Sequence, residues 1–228
     1  MLPDHDVHQP QHRPTVPYIA LRTGEGPATK ELKLELRSAD TWGLAYADET
    51  PGDRDSLDVL WRRYHQTRDH AGRPTGAPVA GRVHPDRLRE TMSHLTCAVC
   101  NRPASQTTDG YLFLEPSGEP VEGRLTAWPP VCTDHVIAYA HIRPDLRHGY
   151  TVIRSADPNL YGVRGRRLRL AGTAFETVDP DTELPYEEAQ ERWIIAEKLL
   201  RQLKHTTVAV EYADLTIASA SSVSRSAP

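Results

Sequence analysis

The chain has 228 residues, 38% hydrophobic and 25% charged side chains, a formal net charge of -4 and a mean hydropathy of -0.56. No stretch approaches the about 20 consecutive apolar residues that a spanning helix needs, and the three cysteines are too few for a disulfide framework. Composition therefore excludes a helical membrane protein, a coiled coil and a disulfide-stapled secreted domain, and the acidic balance argues against wholesale coating of nucleic acid.

In chain order, residues 1–14 are rich in Pro, His, Asp and Gln and read as a flexible arm. His5, His8 and His12 lie there, but Pro3, Pro10 and Pro14 deny them a helix that would bring them together. No basic segment followed by an apolar one opens the sequence, so no secretory signal is expected and reduced cysteines fit a cytoplasmic setting. Val16 to Leu21 is a strand candidate, followed by a turn at Gly24-Glu25-Gly26-Pro27. Lys30 to Arg37 alternates Leu32, Leu34 and Leu36 with charges, and Trp42 to Asp48 forms a second strand candidate. Leu57, Leu60, Trp61 and Tyr64 repeat at helical spacing, although 59–64 also fits a strand. After a Gly/Pro-rich loop over 67–81, Pro85 opens a helix to Leu95 with Leu88, Met92 and Leu95 on one face.

Further on, Tyr150 to Arg154 and Val163 to Ala171 read as two strands. Pro185 begins the strongest helical pattern, in which Ala189, Trp193, Ala196, Leu200 and Leu203 recur at 4-3-4-3 spacing. Glu188–Arg192 and Glu197–Arg201 are matched charges four residues apart along it. Thr206 to Tyr212 alternates as a strand, and the Ser/Ala-rich residues 216–228 read as a disordered tail. The expectation is an α+β fold with a mixed or antiparallel sheet and a few helices. It forms a single domain over 15–215, with a metal-binding segment at 96–143.

That segment carries the specific signal. Cys97-Ala98-Val99-Cys100 is a C-x2-C knuckle, and Cys132-Thr133-Asp134-His135 is a C-x2-H pair 31 residues later. Two short-spaced pairs of N/S ligands suit a tetrahedral Zn²⁺ ion, and all three cysteines are used. Between the pairs, 111–115 and 123–128 read as strands around Pro116-Ser117-Gly118, and 132–142 reads as a helix ending before Pro144. Knuckle, hairpin and a helix whose first turn holds the second pair resemble the treble-clef zinc fold. A closed shell of Cys97, Cys100, Cys132 and His135 leaves no position for water, which implies a structural ion.

Known catalytic patterns do not fit. Residues 101–131 contain no histidine, so the general base of treble-clef endonucleases is missing. The H-x-E and P-C-x-x-C signature of zinc deaminases is absent as well. Phosphate-binding loops, nucleophile elbows and H-E-x-x-H are also lacking. Asp134 reads as a helix cap, and His94, His141 and His148 as solvated groups.

Arg143 to Arg169 contains seven arginines against Asp145 and Asp157, and Glu176 to Glu191 holds seven acids and no base. The arginines, above all Arg164, Arg166, Arg167 and Arg169, either face nucleic acid or are matched internally by the acidic run. Tyr150 and Tyr161 would be available to stack on bases.

The segments VPYIA (16–20), GLAYADE (43–49), GRVHP (81–85), CAVC (97–100) and PPVC (129–132) resemble a family of uncharacterised actinobacterial proteins. The resemblance spans most of the chain and implies a cytoplasmic accessory protein from a GC-rich genome, where arginine is favoured over lysine. It brings no activity. The sequence thus points to a zinc-stabilised binding protein contacting nucleic acid, with a protein-interaction adaptor and an enzyme of unreadable site as alternatives.

Overall fold

The computed structural model describes residues 16–38, 40–118, 120–189 and 193–209. The expected arm at 1–14 and tail at 216–228 lie outside these residues, as do Val210 and Tyr212. The elements in order are β1 (Ala20–Arg22), β2 (Gly26–Pro27), β3 (Leu32–Ser38), β4 (Thr41–Tyr46), β5 (Tyr64–His65), β6 (Pro78–Val83) and α1 (Pro85–His94). They continue with β7 (Gln106–Thr107), β8 (Gly110–Pro116), β9 (Leu125–Thr126), α2 (Val136–Ile142), β10 (Tyr150–Ala171), β11 (Ala174–Pro185), α3 (Tyr186–Ala189) and β12 (Ile194–Val208). Antiparallel pairing dominates, in keeping with an α+β fold.

The main sheet has the order β7-β8-β10-β12-β9, with β11 also paired to β10. The two expected strands at 150–154 and 163–171 are one continuous strand of 22 residues. Its first part pairs with β8 and its last part with β11, while β12 runs along 153–167. Two glycines let three backbones meet here. A Cβ on Gly162 would come within 2.0 Å of the Leu184 carbonyl oxygen, and one on Gly165 within 2.2 Å of that of Ile195. Both sit at breaks in the ladder register, where a side chain would force the strands apart.

The helix expected from Pro185 to Leu203 does not form. Among the described residues of this span Tyr186–Ala189 is helical, and 194–208 is strand β12. The reason is burial on both faces. Ile194, Ala196 and Leu199 pack with Val59, Trp61 and Met92, while Ile195 packs with Leu44, Leu60 and Leu168. A strand covered on both sides loses its alternation, and its paired apolar residues then imitate a helical repeat. Of the two expected charge pairs, Glu188–Arg192 includes a residue outside the described ones, while Glu197 pairs with Arg62 at 2.7 Å and Arg201 donates to the carbonyls of Met92, Pro158 and Ser93.

The segment 57–64 is likewise not a helix. A 3-10 turn at Pro51–Asp53 is closed by the Thr50–Asp53 capping box. The Asp55 carboxylate then accepts from the N–H groups of Leu57 and Val59, and Asp58 is left-handed with φ 63°. Leu60 and Trp61 go inside while Leu57 stays half exposed, so the four residues never share a face. Helix α1 forms as its sequence requires. His84 Nδ1 accepts from the Asp86 N–H at its start, and Leu88 and Met92 are buried. Among the described residues no helix is long and apolar enough to cross a membrane.

Candidate metal centre

Helix α1 stops at Leu95, which turns left-handed at φ 53°, and the knuckle follows at once. The Cys97 N–H donates to the Arg102 carbonyl at 2.7 Å and the Asn101 N–H to the Cys97 carbonyl at 2.9 Å. This folds 97–102 into a tight loop with Asn101 at positive φ, and Asn101 Nδ2 ties it to Glu90 of α1 at 3.0 Å. The second pair is carried in by 129–132. The Val131 N–H donates to the Leu112 carbonyl of β8, and the Ala98 N–H donates to the Pro130 carbonyl. A 3-10 turn at Thr133–His135, closed by the His135 N–H on the Cys132 carbonyl, sets Cys132 and His135 on one side ahead of α2.

These elements bring all four ligand atoms within 4.8 Å of one another. Cys97 Sγ lies 3.5 Å from His135 Nδ1, and Cys100 Sγ lies 3.8 Å from Cys132 Sγ. A tetrahedral shell with bonds of about 2.3 Å to sulfur and about 2.0–2.1 Å to nitrogen places two sulfurs about 3.8 Å apart and a sulfur and a nitrogen about 3.5 Å apart. The Cys97–His135 and Cys100–Cys132 separations are therefore those of such a shell, and all four ligand atoms lie close enough together to hold one ion. Cys97 is fully buried, whereas Cys100, Cys132 and His135 are half-buried. Burial and the neighbouring Cys97 push the Cys132 thiol up to about 12, and burial also raises Cys97. A cation held by these thiolates would have to displace their protons.

The expected hairpin between 111–115 and 123–128 does not form. Strand β8 instead pairs with β7 and β10, and β9 pairs with β12. The short hairpin in this segment is β7–β8, turning at Thr108–Asp109 with Thr107 opposite Gly110.

The arginine stretch is not a continuous basic surface. Arg143 is buried, stacks over Trp128 at 4.6 Å and donates to the Leu114 carbonyl. Arg154 is buried and donates to the Gly110 carbonyl at 3.3 Å. Arg164 donates to Asp181 at 2.6 Å and lies 3.5 Å from Glu183. Arg169 pairs with Glu176 at 3.0 Å, and Arg167 sits across the ladder from Asp179. Arg166 is half-buried. The acidic run of β11 thus lies directly beside the arginines of β10.

Sequence spacing gave no sign of a cleft of about 890 Å³ between α1, the loop at 50–57 and the middle of β12. In it the Asp55 carboxylate accepts from Trp61 Nε1 and from the Tyr186 hydroxyl, each at 2.9 Å, while Arg89 stacks over Trp61 at 4.3 Å. These residues come from segments up to 131 positions apart, so no local pattern could join them. No known protein family, curated protein or solved structure matches the chain.

Proposed function

We propose that the chain is a zinc-stabilised binding protein, in which Cys97, Cys100, Cys132 and His135 hold one structural Zn²⁺. The agreement of both ligand separations with a tetrahedral shell carries this reading. Three thiolates and an imidazole select a borderline-soft ion over Mg²⁺ or Ca²⁺, and four protein ligands leave no open position for catalysis. The order of knuckle, β7–β8 hairpin and α2 behind the second pair supports a treble-clef-like unit. Zinc analysis of purified protein tests the reading, with one equivalent expected and loss in Cys97→Ser. Metal-free protein that folds equally well would reject it.

The partner we favour is nucleic acid, reached through Arg164, Arg166, Arg167 and Arg169 on β10. The density of guanidinium groups along one strand supports it, since each can fork onto a phosphate. The ion pairs to β11 oppose it, because phosphate must displace Asp181 and Glu176 from Arg164 and Arg169. A salt titration with mixed DNA and RNA decides the point. Affinity that falls steeply with salt, and falls further in Arg167→Glu, is expected. No affinity at low salt directs attention to a protein partner.

A further inference from the structure

We infer that Cys100 and Cys132 form an oxidative modification site, at which a hydroperoxide closes a disulfide and opens the metal centre. The inference rests on the metal reading above and concerns how that centre is released. The four ligands are not equivalent. Cys97 is sealed from solvent, and the backbone N–H groups of Val99 and Cys132 point at its sulfur at 3.4 and 3.3 Å. Such hydrogen bonds withdraw electron density, so Cys97 is the least nucleophilic and least accessible thiolate. Cys100 and Cys132 are half-buried on the outer side and face one another at 3.8 Å. Nucleophile and resolving thiol are therefore neighbours, as redox-active cysteines require.

The step balances. The Cys100 thiolate attacks the terminal oxygen of the hydroperoxide, the O–O bond breaks, and the alkoxide leaves as an alcohol after taking one proton. The sulfenic acid formed on Cys100 is then attacked by the Cys132 thiolate. The S–S bond forms, and hydroxide leaves as water with a second proton. Two thiolates supply the two electrons that reduce the peroxide. Cys97 and His135, left as a pair, no longer complete a tetrahedral shell.

The opening has a route into the fold. The N–H of Tyr18 donates to the Val99 carbonyl and that of Ile19 to the Ala98 carbonyl, so the segment entering β1 docks on the knuckle itself. Ile19, Cys97, Ala98 and Val99 share one core with Val131 and Tyr139. Loss of the ion therefore loosens the attachment of β1.

The test uses the zinc-loaded full chain and hydrogen peroxide, with a chromogenic chelator reporting released zinc. Release of one equivalent with the loss of two thiols is expected, with a Cys100–Cys132 peptide in the mass map and faster amide exchange at Tyr18 and Ile19. Dithiol reductant plus zinc should restore all of these. In Cys100→Ser, peroxide-driven release should slow by about tenfold or more, because the Cys100–Cys132 disulfide can no longer close. Where that variant fails to hold zinc, differential alkylation of the native chain must label Cys100 and Cys132 ahead of Cys97. A first disulfide containing Cys97, or zinc retained at peroxide that fully oxidises free glutathione, overturns this inference while leaving the metal reading intact. Protein that never held zinc overturns both.

Discussion

At the scale of single residues, two ion pairs show how charge is used inside a fold lean in apolar side chains. The Arg87 and Glu25 side chains are both sealed from solvent, joined by hydrogen bonds of 2.7 Å from the two terminal guanidinium nitrogens, with a further bond from Arg87 to the Ala20 carbonyl. Such a pair adds little over an apolar replacement, but removing one partner leaves a bare buried charge. Glu25→Gln should therefore destabilise by about 3–5 kcal/mol in urea unfolding. Asp53 behaves differently. Burial alone would raise its carboxyl, but the fork from Arg63 and the N–H and hydroxyl of Thr50 outweigh this and hold it at about 2. A carboxyl depressed from 3.8 in the folded state stabilises fully above that value and loses its contribution as pH falls through about 2. Unfolding midpoints should thus drop between pH 4 and pH 2, and the Asp53→Asn variant should show a shallower drop over that interval.

At the scale of elements, the legible parts of the sequence were those governed by local physics. The alternation of Leu32, Leu34 and Leu36 gave β3, and Pro85 with Leu88 and Met92 gave α1. Cys97, Cys100, Cys132 and His135 were readable because ligand spacing is set by the ion's own geometry. Strand β12 was not legible, since its two buried faces erased the period that separates strand from helix. Nor was the cleft around Asp55, Trp61 and Tyr186, which exists only once distant segments meet. The crossing of β10 with β11 and β12 makes its own prediction. Gly162→Ala drives a methyl into the Leu184 carbonyl, so that backbone and not a flexible side chain must shift. A loss of about 2–4 kcal/mol in thermal or urea unfolding is expected, whereas Gly172→Ala, with open space around it but φ 64°, should cost about 1 kcal/mol.

At the scale of the whole molecule, the metal centre and the far hairpin sit in different cores. Cys97 to Val99 pack with β8, α2 and the start of β10, whereas Leu44 and Tyr46 of β4 pack with Leu60, Leu168 and Ile195. Stripping the ion with a chelator should therefore act unevenly. Hydrogen exchange followed by mass spectrometry should show early loss of protection in 18–22, 110–116 and 136–142, with 41–46 protected until global unfolding. Uniform loss across both cores would mean that the two are one cooperative unit.

The position of β12 also dictates an order of assembly on the ribosome. It lies between β10 and β9 in the sheet, yet it is the last of the described strands to be made. Until it emerges, one side of β10 from Ile153 to Arg167 has no ladder partner, and Val59, Trp61 and Met92 have no Ile194 or Ala196 to cover them. Between the completion of β10 and the emergence of β12 the nascent chain therefore carries an open edge and an uncovered apolar face, a state that chaperones recognise and that invites pairing with neighbouring chains.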